Sequence, residues 1–359
     1  MKIDSKVLNV GVIGAGWWGT YAHIPGIVAH KQAVLLAVQS KEKVVANQVA
    51  HDFRSQHAFD KYEDLLAVDA LDAVVVSSTP NLHFEQAEHA LSKGKHVLIE
   101  KPMTFTVSQA SLLCKLAEEN KLELVLSSPW HYTIHAKSAR KLISAGELGK
   151  IKMISILMTN PIQELLKGIN TTPTHGMDNV YLEPGKGSYN DPSIAGGGQI
   201  YCQIPHPAAY LGFLTGLKPT TVYAKFDYAG SVNDIYNALT ITLSNGALVN
   251  IASTAATPRS ERNYEVRVFG TKAILQMELW KGTMTYIPFE GKRKDFIALE
   301  PHQIYPEQAP VTNFINTCLG EASNESDGKL GLTAIQIVES AIKSNQLGIP
   351  ITIREDGSL

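Results

Sequence analysis

The segment Gly14-Ala15-Gly16-Trp17-Trp18-Gly19 follows directly on the apolar run Val7–Ile13. Glycines at this spacing, between a strand and a helix, restrict the fold more tightly than any other feature of the chain. Such a turn heads a βαβ unit and lets the backbone approach a pyrophosphate closely, while the helix behind it supplies N–H groups and a favourable dipole. The pattern continues as the motif requires. Strand-like runs at Val7–Ile13, Ala33–Val38, Ala70–Ser77, His96–Ile99 and Leu122–Leu126 alternate with helix-period segments near Gly19–Ala29, Lys41–His51, Asn81–Lys93 and Val107–Asn120. Gly94 closes the third of these helices as a C-terminal glycine does. The alternation predicts an α/β domain over residues 1–128, built on a doubly wound parallel sheet that binds a dinucleotide.

A chain of 359 residues is too long for one ordinary core. After Ser128 its character changes, with a helix near Ile134–Ala145 ended by Gly146. Alternating strands then follow at Ile151–Thr159, Thr220–Tyr228, Ile235–Leu243, Leu248–Ala255, Tyr264–Gly270 and Ala273–Leu279. Asn245-Gly246 and Gly270-Thr271 stand between successive runs and read as hairpins. Residues 129–359 are therefore expected to form a second α/β domain with a large, mostly antiparallel open sheet. The Gly/Pro/Asn-rich segment Pro161–Gly198 has little periodicity, and a loop of that length is usually functional. It is read as a substrate-site loop, with His175 and Tyr189 as candidates.

Charged residues make up 18% of the chain and the net charge is −2, which gives no attraction to nucleic acid or an anionic membrane. Cys114, Cys202 and Cys318 are widely spaced and form no CxxC or Cys/His ligand pattern, against a disulfide framework or a structural metal. No signal-like segment precedes the first strand and no apolar run would span a bilayer, so a soluble cytoplasmic protein is expected.

Two further stretches bear on chemistry. Where a carboxylate would hold the ribose hydroxyls of NAD, the tip of the second strand reads Val38-Gln39-Ser40-Lys41. A hydroxyl and a cation there suit a 2′-phosphate, which favours NADP slightly over NAD, although Glu42 stands one residue later and Lys41 is equally a solvated helix start. Glu100-Lys101-Pro102 directly follows the strand His96–Ile99 and puts a lysine at the sheet edge where ligands bind. Oxidising an alcohol sends hydride to the cofactor and a proton to a base, and a nearby ammonium stabilises the developing oxygen charge.

These glycines, Thr79-Pro80-Asn81 with His83, Gly94-Lys95-His96-Val97 before Glu100-Lys101-Pro102, Gly146-Glu147-Leu148-Gly149 and the late Glu339-Ser340-Ala341 together resemble the Gfo/Idh/MocA oxidoreductases over nearly the whole chain. That family is named for glucose-fructose oxidoreductase, inositol dehydrogenase and a rhizopine-catabolism protein. The resemblance implies a Rossmann domain, a second α/β domain whose open sheet packs in homodimers or homotetramers, and hydride transfer between NAD(P) and a hydroxyl of a sugar or cyclitol. It implies that Lys101 contacts substrate and cofactor, and that Glu100, Thr79, Pro80, Asn81 and His83 line the cofactor beside Trp17 and Trp18. Asn81 is alternatively a helix cap.

The family's second catalytic element is an aspartate four residues before a histidine on one helix face. His206 falls on that histidine, but Cys202 occupies the aspartate position. In a continuous helix Cys202 would share a face with His206, with Tyr201, Gln203 and Gln199 nearby. His206 is the candidate proton acceptor, or else an interior histidine. In Ser128-Pro129-Trp130-His131-Tyr132-Thr133, many relatives carry an arginine. Trp130 and Tyr132 offer flat faces that stack on sugar rings, so Trp130, His131, Tyr132, Tyr189, Tyr201, Cys202, Gln203, Lys101 and His206 are the substrate candidates and a neutral carbohydrate or glycoside is expected. Ordinary packing would account for each aromatic as well. Two other classes stay open: a redox-neutral hydrolase or lyase of this fold, which the missing aspartate makes worth weighing, and a non-catalytic dinucleotide-binding regulator, against which Lys101 argues.

Overall fold

The computed structural model describes residues 7–169, 181, 187–354 and 356–359, and the chain divides into two compact units. Among the described residues the first unit runs to Pro129 and includes Tyr181 and Glu307–Lys329, while the second starts at Trp130 and includes Tyr189–Pro306.

The first unit contains β1 (Leu8–Ile13), β2 (Ala33–Gln39), β3 (His57–Phe59), β4 (Ala73–Val76), β5 (His96–Ile99) and β6 (Leu124–Leu126). All pair in parallel, in the order β3-β2-β1-β4-β5-β6. The chain reverses its direction of travel across the sheet at β1, and such a switch point opens a crevice at the carboxyl ends of the strands. Buried on both faces, β4 reads Ala-Val-Val-Val with no polar position. It is shorter than the apolar run Ala70–Ser77 because Leu71 N–H bonds to Val68 O in a turn. One contributor to this core lies far along the chain: the helix Ala309–Cys318 adds Val311, Phe314 and Ile315 beside Ile24 and Ile27.

The second unit contains β7 (Ile151–Thr159), β8 (Pro219–Asp227), β9 (Tyr236–Leu243), β10 (Leu248–Thr254), β11 (Asn263–Gly270), β12 (Ala273–Glu278), β13 (Thr283–Pro288), β14 (Lys294–Asp295) and β15 (Ile351–Thr352). They form one nine-stranded sheet in the order β14-β13-β12-β11-β7-β10-β9-β8-β15, in which β7 and β10 are the parallel pair and the other pairings are antiparallel. Burial alternates along β9 and β10, as it does when one face of a sheet packs on a core and the other is left open. The helix Pro205–Thr215 is buried on nearly every side, and Gly212 leaves room for Leu330 and Thr333. Within the long loop, Gln163–Leu166 and Pro192–Ala195 form short helices, and His175 lies outside the described residues. No helix among the described residues is long and apolar enough to cross a membrane.

Candidate active site

The three glycines after β1 do different work. Gly14 has φ +83°, and a Cβ there would lie 2.4 Å from Ser78 N. At Gly19 a Cβ would lie 2.8 Å from Gly14 O and from Ser77 Oγ, so this glycine lets the helix sit tight against the strand ends. Gly16 is the exception: a Cβ on it would meet nothing within 4 Å. The fold therefore leaves open space over Gly16 itself. The first i→i−4 bond of the helix runs from Thr20 N to Gly16 O at 3.0 Å, so the N–H groups of residues 17–19 precede the ladder. An open glycine at a helix start, with backbone donors beside it, fits a pyrophosphate.

At the β2 tip the expected contacts are redistributed. Gln39, not Ser40, is the residue that reaches back to the cradle: its Oε1 accepts from Gly14 N at 3.1 Å and its Nε2 donates to Asp60 O at 2.9 Å. Ser40 is turned inward, 2% exposed, with its hydroxyl near Glu42 N, and so has little surface to offer a phosphate. Lys41 is exposed at this tip.

The ends of β4 and β5 complete the crevice edge. Thr79 and Asn81 are exposed and bonded to each other, Thr79 Oγ1 donating to Asn81 Oδ1 at 2.7 Å. Asn81 does not cap a helix: Thr79 and Leu82 hold the cap positions of the turn Pro80–Leu82 and the helix His83–Ser92. His83 is buried, with Nδ1 2.8 Å from Pro102 O and Nε2 3.1 Å from Ser78 O, so it grips backbone instead of facing the crevice. Glu100 is likewise taken up by the protein. Its Oε1 accepts from Trp18 Nε1 at 2.8 Å and from His23 Nε2 at 2.9 Å, and its Oε2 from Lys101 N at 3.1 Å. Burial pushes this carboxyl upward, but the His23 hydrogen bond and the nearby Lys101 charge more than offset it and hold the group at about 2. Lys101 follows, half-buried at the carboxyl end of the strand. His23, which no motif marks, enters this cluster; the only clue in the chain is a histidine within an apolar helical stretch.

In the second unit the helix expected to carry Cys202 and His206 on one face is two helices, Gln199–Cys202 and Pro205–Thr215. Pro205 has no N–H to continue the ladder, and His206 N bonds to Gln203 O at 3.0 Å, closing a tighter turn. The four-residue spacing thus spans a break. Cys202 packs among Ile162, Leu166, Ile235 and Ala255, with Tyr189 against the same cluster, an apolar setting that suits a thiol and would penalise a carboxylate. The glycine run before it is anchored by Asp234, whose carboxylate accepts from Gly198 N at 2.9 Å and Ile200 N at 2.7 Å. A Cβ on Gly198 would lie 2.2 Å from Asp234 O, which is why this position is glycine.

His206 is buried with its ring 5.0 Å from that of Trp130, edge to face. Trp130 is the hub of an aromatic cluster that also includes Tyr264, Trp280 and Tyr305. Arg262, also unmarked by any motif, lies 3.4 Å over the Trp280 ring, and its Nε donates to Asn160 Oδ1 at 2.8 Å. Asn160 Nδ2 in turn donates to Gln203 Oε1 at 2.9 Å. Burial lowers the Arg262 guanidinium to about 10. His131 is set apart from this group: fully buried and stacked on Phe213 at 4.6 Å, it is a core residue that burial and then the Arg140 charge lower to about 3. Tyr132 is half-buried near Lys137. Tyr201 is buried, and burial raises its phenol well above the ordinary value, which makes it a poor proton acceptor.

Comparison with known proteins agrees with the fold of both units. The family model described as "Oxidoreductase family, NAD-binding Rossmann fold" matches residues 8–127, and that of the GFO/IDH/MocA C-terminal domain matches residues 136–276. An uncharacterised oxidoreductase of Synechocystis is 30% identical over 59% of this chain, which spans 52% of that protein's length. The D-xylose 1-dehydrogenase [NADP(+)] of Haloarcula marismortui is 23% identical over 94% of this chain and 91% of its own. Among solved structures, levoglucosan dehydrogenase in complex with NADH and levoglucosan superposes with a TM-score of 0.81 at 17% identity, covering 98% of this chain and all (100%) of that one, a likeness of fold. With a glycine cradle in a parallel sheet, a lysine at the end of β5, and both domain models matched in order, this chain belongs to the Gfo/Idh/MocA family of oxidoreductases with an NAD-binding Rossmann fold.

Proposed function

We propose that the protein is an NAD(P)-dependent dehydrogenase or reductase acting on a hydroxyl or keto carbon of a sugar, glycoside or cyclitol. The observation that carries this reading is Lys101 at the carboxyl end of β5, on the sheet edge that also bears the open cradle at Gly16. In this reading the first unit binds the dinucleotide through Gly14, Gly16, Trp17 and Gly19, with Lys41 on the β2 side and Thr79, Pro80 and Asn81 on the β4 side. The bound nicotinamide supplies or accepts the hydride. In the first unit the Lys101 ammonium would donate to the reacting oxygen and stabilise its developing charge; in the second unit His206 is the candidate proton acceptor. A carbohydrate is favoured because the half-buried Trp280 and Tyr305 stack on one another beside Trp130. Flat aromatic faces of this kind pack on the C–H faces of sugar rings. The named substrates of the xylose and levoglucosan dehydrogenases point the same way.

The test is a panel of pentoses, hexoses, glycosides and inositols with NAD+ and NADP+, followed at the reduced-nicotinamide absorbance band. Net cofactor reduction with at least one of them is expected, with NADP+ preferred and with Lys41→Ala lowering that preference about tenfold, the loss of one charge-assisted hydrogen bond. Glycoside cleavage without net absorbance change would instead favour the redox-neutral chemistry that Cys202 leaves open, and no conversion with either cofactor would remove the assignment. We also propose a cytoplasmic protein that draws on the soluble cofactor pool, and a homo-oligomer built on the open sheet face. There Met153 lies beside Leu248, and Leu157 beside Ala252 and Glu265, giving an exposed stripe with a large apolar content. Light scattering is expected to give a dimer or tetramer; a monomer at micromolar concentration would refute this.

A further inference from the structure

Both neighbours of Lys101 in the chain are gripped by buried histidines. On the amino side, Glu100 Oε1 receives His23 Nε2 at 2.9 Å and Trp18 Nε1 at 2.8 Å. On the carboxyl side, Pro102 O lies 2.8 Å from His83 Nδ1. Both rings are nearly inaccessible, at 0% and 1% exposure.

The local backbone is built for the first of these grips. Between Gly19 and His23 the helix makes a π turn, with Ile24 N–H bonded to Gly19 O. Residues five apart on an α-helix differ by about 140° around its axis. A wider i→i+5 turn brings them back towards one side. Trp18 and His23 are five apart, and they converge on a single carboxylate oxygen. Because a carboxylate only accepts, His23 must carry its proton on Nε2, and its Nδ1 has no hydrogen-bond partner among the described residues. At His83 both nearby partners are carbonyl oxygens, burial favours the neutral ring, and the single N–H belongs to the shorter contact, at Nδ1 to Pro102 O. A hydrophobic side chain would fill either space without a polar atom to satisfy. Each imidazole instead spends its N–H on one side of the same lysine.

We propose that His23 and His83 are positioning residues that fix Lys101, and with it the nicotinamide-side edge of the cofactor site, from opposite sides. This rests on the reading of the cradle and of Lys101 given above. The order β3-β2-β1-β4-β5-β6 puts β5 on the far side of the β1 cradle from β2, the strand that takes the adenosine half in this fold. The grip on β5 therefore concerns the nicotinamide half.

The two histidines donate through different nitrogens, so opposite isosteres should preserve them. A glutamine amide reaches where Nε2 does, and an asparagine amide where Nδ1 does. Calorimetric titration with NADH, NADPH, ADP-ribose and 2′-phospho-ADP-ribose tests this. His23→Asn and His83→Gln are expected to weaken binding of the reduced dinucleotide about fivefold to tenfold, the usual effect of one lost hydrogen bond. His23→Gln and His83→Asn should stay within about twofold, and all four variants should bind the nicotinamide-free ligands like the wild type. The result that overturns the proposal is a loss of the crossed pattern, whether because all four variants behave alike or because ADP-ribose affinity falls in parallel. If the wild-type protein binds none of the four ligands, the cofactor reading falls as well; if it binds them without the crossed pattern, only the positioning role does.

Discussion

Lys101→Ala is expected to lower turnover by about three orders of magnitude while the protein still folds and binds its dinucleotide. Removing one preorganised donor from a developing oxyanion typically costs a factor of about 100 to 1,000. Here the same group supplies a full charge and helps to orient the substrate, so the upper end applies. The fold should survive because the bonds of its neighbours stay in place: Glu100 still joins Trp18 and His23, and Pro102 O still meets His83. Lys101→Arg keeps the charge but spreads it over a planar fork, so only partial activity should return. The measurement is kcat on whichever sugar the panel identifies, alongside the dinucleotide Kd. Near-wild-type turnover in Lys101→Ala would show that the lysine stands outside the reaction.

Gly16→Val should separate folding from cofactor binding. Its Cβ would meet nothing within 4 Å and its φ lies outside the left-handed region, so unfolding in urea should change by no more than about 0.5 kcal/mol. The same branched side chain would stand over the helix start and hold a pyrophosphate away from the backbone N–H groups, weakening the dinucleotide about 100-fold or more. Gly14→Val provides the contrast. At φ +83° and 2.4 Å from Ser78 N it has neither the conformation nor the room for a side chain, and the first unit should lose stability outright. Equal cofactor affinity for Gly16→Val and wild type would mean that the pyrophosphate lies elsewhere.

Much of the first unit was legible in the amino-acid order because parallel strands buried on both faces are continuous apolar runs. Val7–Ile13 and His96–Ile99 announce β1 and β5 almost residue for residue. β3, at His57–Phe59, was invisible because an edge strand of three half-exposed residues carries no such run. The same holds for the helix Ala309–Cys318, whose amphipathic face is clear but whose place in the first unit depends on contacts almost 300 residues away in sequence.

At the candidate site the division runs between residue type and residue employment. Local order and short-range geometry are enough to place a glycine turn after β1, a lysine at the end of β5 and a cysteine four residues before His206. The strand-tip pattern assigned Ser40, and the family resemblance His83 and Glu100, to cofactor contact. Packing settles which partners these side chains have inside the protein: Ser40 turns inward, His83 lies between the carbonyls of Ser78 and Pro102 and donates to the latter, and Glu100 accepts from Trp18, His23 and Lys101 N. Likewise it broke the helix between Cys202 and His206 at Pro205 and set the thiol in an apolar cluster. The reason is the same in each case. A polar side chain in a folded protein bonds to whatever partner the packing brings within about 3 Å, and for buried groups that partner is commonly a backbone atom or side chain distant in sequence, which no local pattern records.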